Sequence, residues 1–164
     1  MATLTPTASK LIDKGQTAPA FSLKDQLGQT HKLADYQGRW VVLYFYPRDN
    51  TPGCTIEACG FRDQYGSLQG LGAEIFGVSP DDAKSHGRFV EKYDLTFPLL
   101  VDPDNKLATK YGVWREKSMF GKKYMGIVRT TYLIGPSGKV ARRWDKVKVG
   151  GHVKQVAEAV QKLA

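Results

Sequence analysis

Residues 46–62 read Tyr-Pro-Arg-Asp-Asn-Thr-Pro-Gly-Cys-Thr-Ile-Glu-Ala-Cys-Gly-Phe-Arg and contain both cysteines of the chain. The run that leads into them, residues 40–46, is β-branched and aromatic with almost no polar interruption, the pattern of a parallel strand buried on both faces. Pro47 ends it. From Thr55 the composition turns to helix formers, with Ile56, Ala58, Cys59 and Leu68 set among Glu57, Arg62, Asp63 and Gln64. The Thr51-Pro52-Gly53 turn therefore delivers Cys54 into the first turn of a helix that Gly70 stops. Unpaired backbone N–H groups and the positive end of the helix dipole favour a thiolate at that place, and the thiolate is the nucleophilic form. Cys54 is accordingly a candidate nucleophile. A free cysteine is more often a small buried apolar residue, but such a residue gains nothing from a helix N-terminus.

Beyond this unit, residues 73–79 predict a second short apolar strand, and Pro80-Asp81-Asp82 leads into a helix over 83–93 with Ser79 or Asp81 as its cap. Strand and helix in alternation imply an α/β protein with a parallel sheet and right-handed crossovers. On the N-terminal side, Phe21, Leu23 and Leu27 alternate with polar residues up to Gly28, and His31 and Leu33 follow, which predicts a β-hairpin extension. Residues 33–38 read as a helical turn closed by glycine. Residues 1–16 are expected to form a flexible N-terminus, with order beginning near Pro19. On the C-terminal side, residues 94–128 are less regular: Pro98 interrupts an apolar stretch, a short helix is expected over 105–111, and a glycine- and lysine-rich loop over 117–126. This reads as an insertion that covers something. Residues 130–134 and 139–145, joined by Gly135-Pro136-Ser137-Gly138, predict an antiparallel pair. Val153, Val156, Ala157 and Val160 then stand at helical spacing in an amphipathic terminal helix.

The chain has 164 residues, 41% of them hydrophobic, enough for one globular domain over 1–164 whose core needs no disulfide staples. Two cysteines in such a chain point to redox chemistry or packing and to a reducing compartment. Residues 1–14 hold no apolar run of signal-peptide length and no later segment approaches a membrane span, so a cytoplasmic protein with no membrane partner is expected. The formal charge of +8 would permit attraction to nucleic acid. Basic residues are scattered from Lys10 to Lys162, however, and the cluster at 142–148 is broken by Asp145 and two apolar residues, which fits a solvated face better.

If both cysteines sit on one helix, their five-residue separation puts the Cα atoms roughly 8 to 9 Å apart. A disulfide needs them within about 7 Å. Either Cys59 never bonds to Cys54, or the first helical turns unwind during turnover. The spacing also lacks the Cys-x-x-Cys form that exchanges without rearrangement. Metal binding lacks ligands: His31, His86 and His152 are distant from the pair and from one another in sequence, and each reads as a surface or packing residue.

Pro47, Thr51 and Cys54 match the Pro-x-x-x-Thr-x-x-Cys motif of peroxiredoxins, with the Thr-Pro-Gly-Cys-Thr core intact. Cys59, the Phe61-Arg62-Asp63 that follows it, and Arg129 entering Thr130-Thr131-Tyr132-Leu133-Ile134 resemble the bacterioferritin comigratory protein, or peroxiredoxin Q, subgroup. The likeness covers nearly all of the chain from Pro19 onwards. It implies a thioredoxin-like fold, a central mixed sheet flanked by helices, with an N-terminal β-hairpin extension and an insertion before the last hairpin. It also implies reduction of hydrogen peroxide and alkyl hydroperoxides without a cofactor or metal. In that scheme Cys54 is the peroxidatic nucleophile that becomes a sulfenic acid. Thr51 hydrogen-bonds thiolate and peroxide, Arg129 stabilises the charge as it moves from sulfur to the leaving oxygen, Pro47 shields the pocket, and the N–H groups of Gly53 and Cys54 complete the donor set. Glu57 either orients an arginine or is a solvated acid of the first helical turn.

Cys59 would be the resolving cysteine, forming a Cys54–Cys59 disulfide that thioredoxin or a similar thiol reductant reopens; the remaining choice is an external thiol, since no third cysteine exists. The subgroup resemblance favours a monomer. With no segment past the final helix to lock the folded state, resolution should be easy. Two alternatives stand beside this reading. A thioredoxin-like disulfide oxidoreductase without peroxidase activity would not require Thr51 and Arg129, and a basic nucleic-acid-binding domain would be indifferent to Cys54→Ser.

Overall fold

The computed structural model describes residues 11–164. A small antiparallel hairpin, β1 (Ser22–Lys24) and β2 (Thr30–Lys32), is followed by a 3-10 turn over Leu33–Tyr36. Then come β3 (Trp40–Phe45), α1 (Pro52–Gly70), β4 (Ala73–Ser79), α2 (Ala83–Tyr93), β5 (Leu99–Val101) and α3 (Lys106–Lys110). The chain continues through β6 (Trp114–Met119), β7 (Lys122–Ile127), β8 (Thr130–Ile134), β9 (Val140–Trp144) and α4 (His152–Leu163). Five strands form one sheet in the order β5-β4-β3-β8-β9. Its β5, β4 and β3 are parallel, while β8 runs antiparallel to both β3 and β9.

The uninterrupted apolar run at 40–46 follows from β3 lying at the centre of this sheet, covered on both faces. Successive side chains alternate between two cores. Val42, Tyr44 and Tyr46 meet Ala58, Phe61 and Leu68 of α1 and Val156 and Val160 of α4. Val41, Leu43 and Phe45 meet Leu107 and Ala108 of α3, Tyr111, and Phe21 beside the N-terminal hairpin. Helices thus flank a mixed central sheet, and both the predicted hairpin extension and the β8–β9 pair form.

Four local expectations change. The cap of α2 is Asp82, whose side chain accepts from the Ser85 N–H, and neither Ser79 nor Asp81 takes that place. Residues 99–101, expected to be irregular, pair in parallel with β4 as the sheet's edge, so Pro98 stands just outside the strand rather than interrupting it. The expected loop over 117–126 is the β6–β7 hairpin, with Trp114 opposite Ile127 and Met119 opposite Lys122. Its two-residue turn, Phe120-Gly121, has φ of +53° and +77°, the doubly positive geometry that Asn-Gly more often supplies. Finally, residues 11–16 of the expected flexible N-terminus are held against β9, while residues 1–10 lie outside the described residues. Gly15 N–H donates to the Val140 carbonyl at 2.8 Å, Val140 N–H to that of Gln16 at 2.9 Å, and Arg143 to Asp13 at 2.6 Å. An edge strand leaves one row of backbone groups unpaired, and this segment covers it.

Gly77 of β4 leaves no room for a side chain: a Cβ there would stand 2.8 Å from Leu99 Cδ2 and 2.9 Å from the Tyr44 ring and hydroxyl. Gly66, on the exposed side of α1, would meet nothing within 4 Å. Gly77→Ala should therefore lower the unfolding free energy in urea by about 1–3 kcal/mol through overpacking. Gly66→Ala should raise it by up to about 1 kcal/mol through helix propensity.

Candidate active site

The turn after β3 places Cys54 by ordinary helix-start chemistry. Thr51 is the N-cap residue in an extended conformation, and Pro52 opens α1, where a missing N–H costs nothing. Cys54 is then the third helical residue, 1% exposed, in the turn whose N–H groups have no intrahelical acceptor. Glu57 lies one turn further on the same face and is fully buried.

Arg129, in the link between β7 and β8, reaches both. Its Nη2 donates to Cys54 Sγ at 3.3 Å and its Nη1 to Glu57 Oε1 at 2.7 Å. A Cβ on Gly53 would stand 3.3 Å from Arg129 Nη2, so a larger residue there would crowd the guanidinium. The Arg129 carbonyl accepts from Val147 N–H at 3.0 Å, which fixes the backbone behind the side chain.

The two acidic groups are buried, while the Arg129 side chain keeps partial exposure. Burial pushes the Glu57 carboxyl up to about 7 against the opposing pull of Arg129. Its Oε2 has no hydrogen-bond partner among the described residues. His152, at the start of α4, places Nε2 3.9 Å from that oxygen and 2.8 Å from Thr131 Oγ1. Burial first, then the charge of Arg129, depresses His152 to about 4, so it is neutral at neutral pH. Burial works against the charge of Arg129 as well, but Glu57 and Cys54 outweigh it and the guanidinium is held still more firmly protonated. Tyr44, in the same core as Cys54, has its phenol driven well above the usual range by burial, then by Glu57 and Cys54.

The loop before Cys54 is pinned from below. Asp49, buried, accepts from Tyr46 Oη at 2.6 Å, Ser85 Oγ at 2.7 Å and His86 Nδ1 at 2.6 Å, and its N–H donates to Asp81 Oδ2 at 2.6 Å. Burial alone would raise the Asp49 carboxyl, but the bond and charge of His86 and the two hydroxyls bring it below the usual range. His86, fully buried, also places Nε2 2.9 Å from the Leu100 carbonyl. The turn that presents Cys54 is thereby tied to α2 and β5.

The sequence profile of the AhpC/TSA family matches residues 14–143. The chain belongs to this family. Among its relatives, peroxiredoxin Bcp of Bacillus subtilis is 54% identical over 152 residues, 93% of this chain and 95% of that protein. Peroxiredoxin Bcp of Escherichia coli is 45% identical over 141 residues, covering 86% and 90%. Among solved structures, the bacterioferritin comigratory protein of Xanthomonas campestris, studied for its alkyl peroxide reduction, superposes with a TM-score of 0.86. It is 40% identical, and the match covers 92% of this chain and 98% of that one. Peroxiredoxin Q of Xylella fastidiosa, solved as a cysteine-to-serine mutant, gives a TM-score of 0.88 at 35% identity over 94% and 98%. The fold is thioredoxin-like, and the protein is a peroxiredoxin, a peroxidase of the oxidoreductase class. The alternative of a disulfide oxidoreductase without peroxidase activity gives way to this finding.

In this peroxiredoxin the predicted residues do not all meet. Cys54, Gly53, Glu57 and Arg129 come together, and of the two readings of Glu57 the arginine-orienting one fits its burial. Thr51 does not bond to the sulfur: its hydroxyl donates to the Arg48 carbonyl at 3.1 Å, closing the turn, and makes no side-chain cap bond. Pro47 is half-buried where the chain leaves β3. Cys59 lies half-buried on the same unbroken helix as Cys54, and both thiols are free. His152, Asp49 and His86 were missed as site residues. His152 is 95 positions from Glu57, and no local pattern marks it, since helix packing alone brings α4 to α1.

The buried carboxyl gives a pH signature. Glu57 rises from the ordinary 4.5 to about 7 on folding, so the folded state binds its proton more tightly. The stability this contributes is complete below the unfolded value and lost as pH rises through the folded one. Glu57→Gln keeps an acceptor for Arg129 but stays neutral, so it lacks that loss. In urea titrations the variant's stability relative to wild type should increase between mildly acidic and mildly alkaline pH, by on the order of 3 kcal/mol at most. The opposing slope from His152 is common to both proteins and cancels.

Proposed function

We propose that this peroxiredoxin reduces hydrogen peroxide and organic hydroperoxides through Cys54, resolves through Cys59, and is recycled by thioredoxin or a similar dithiol protein in a reducing cytoplasm. The observation that carries the reading is the guanidinium of Arg129 donating to Cys54 Sγ at 3.3 Å. A cation held there stabilises a thiolate, and it stands where charge arrives as the peroxide bond breaks. The thiolate attacks the terminal peroxide oxygen, an S–O bond forms, and the O–O electron pair leaves with the second oxygen, which takes up a proton as water or alcohol. The Cys59 thiol then attacks the sulfenic sulfur, water leaves, and a disulfide joins the two cysteines. Alkyl hydroperoxides are included because the Xanthomonas campestris relative is described by its alkyl peroxide reduction.

Resolution requires movement. With both cysteines on α1, the intact helix keeps their Cα atoms beyond disulfide reach, so the first turns of α1 unwind before the bond forms. The motion releases Cys54 and Glu57 from Arg129 and frees Gly60, whose added Cβ would lie 2.9 Å from Val153 of α4.

Intact-mass analysis with thiol labelling, after one equivalent of hydrogen peroxide, tests this. Wild type should lose two hydrogens and both labelable thiols. Cys59→Ser should hold a trappable sulfenic acid at Cys54, and Cys54→Ser should not react. Arg129→Gln should slow peroxide consumption by about 10²–10³-fold, the usual cost of removing a donor aimed at developing charge. Full thiol labelling of wild type and Cys59→Ser after peroxide would defeat the assignment.

A further inference from the structure

We propose that Glu57 holds a proton while Cys54 is a thiolate and releases it when oxidation discharges the sulfur, making it the proton store for peroxide reduction. This rests on the reading of Cys54 as the attacking thiolate. Grouped around Glu57 are Cys54 on its own helix, which shares the guanidinium of Arg129 from the β7–β8 link, Tyr44 from β3 and His152 from α4. Only Arg129 among them is a cation. Tyr44 is a neutral phenol, and His152, depressed to about 4, is a neutral imidazole. Arg129 gives Nη1 to Oε1 and Nη2 to Sγ, leaving Oε2 buried with no hydrogen-bond partner among the described residues. His152 Nε2, at 3.9 Å, is outside hydrogen-bonding distance.

With the thiolate present, an ionised Glu57 would set two anions against one cation away from water. The carboxyl with an unserved oxygen is the group that takes the proton, and burial already lifts it to about 7 before any repulsion from the sulfur is counted. Once the sulfur is a neutral sulfenic acid, Arg129 has Glu57 as its single anionic partner, and the carboxylate becomes the favoured form.

The balance closes. Thiolate, carboxylic acid and hydroperoxide become sulfenic acid, carboxylate and alcohol, with two protons and one negative charge on each side. Sulfur loses two electrons and the O–O bond gains them. Glu57 acts through Arg129, whose Nη1 it accepts, so it is a positioning residue. It sets the charge that Arg129 faces, and its proton joins the exchangeable pool from which the leaving oxygen is protonated.

Infrared difference spectroscopy on reduced Cys59→Ser protein, mixed with hydrogen peroxide just below neutral pH, reads the carboxyl directly, while mass analysis counts the sulfenic acid. The expected result is loss of a protonated carboxylic-acid band and gain of a carboxylate band, one for each sulfenic acid formed. Labelling with ¹³C-glutamate should shift both bands, and adding Glu57→Gln should remove them. If that variant does not fold, the isotope shift still assigns the change to a glutamate. Sulfenic acid at Cys54 with no glutamate carboxyl change would overturn the proposal and leave the peroxidase assignment standing. Absence of sulfenic acid at Cys54 would overturn both.

Discussion

One guanidinium serves two acidic groups one turn apart on the same helix, and the site depends on holding it there. Arg129 enters from the end of β7, is fixed by the backbone bond from Val147, and lies across the first turns of α1. Placing it requires β8 beside β3, so that the strand that presents the cation neighbours the strand that leads to the thiol. Burying a charge pair is costly in a dry interior, and the pair persists because its arginine is shared and its acid can take up a proton. Removing Arg129 would leave Glu57, fully buried, without its charged partner.

The same arrangement conflicts with the second half of the proposed cycle. Reaction with peroxide requires the folded first turn of α1, with Cys54 against Arg129, whereas a Cys54–Cys59 bond requires that turn to open. The structure divides the constraints accordingly. Residues 47–51 are held to α2 through Asp49 and His86, which steadies the approach to the helix. The helix itself is held by the Glu57 pair and by close packing of Gly60 on Val153. These are local contacts near the helix start, while the remainder of α1, with Phe61 and Leu68 in the core, can stay in place.

The missed elements share a cause. The β6–β7 hairpin gave no sequence signal because most of its side chains are exposed and neither face imposes an alternating pattern. Its turn uses Phe120-Gly121, which does not look like a hairpin turn on paper. The short strand β5 is legible only beside β4, since three residues carry too little periodicity. Thr51 differs: the motif expects its hydroxyl to serve the sulfur, whereas it donates to the Arg48 carbonyl, a choice made by the turn's backbone and not by the residue type.

Local sequence was enough for the strand at 40–46, the helix start at Cys54, the antiparallel β8–β9 pair, the terminal helix and the motif that marks the family. Each of these is written in local spacing, in period-two or helical hydrophobicity, or in proline and glycine punctuation. Packing across the chain was needed to make Glu57 a buried partner of Arg129 rather than a solvated acid, to stand His152 beside it, and to lock Asp49 to His86. Those facts depend on contacts across 72, 95 and 37 positions of chain. A charge's surroundings are a property of packing, and the sequence of one helix turn reads the same whether its far side meets water or α4.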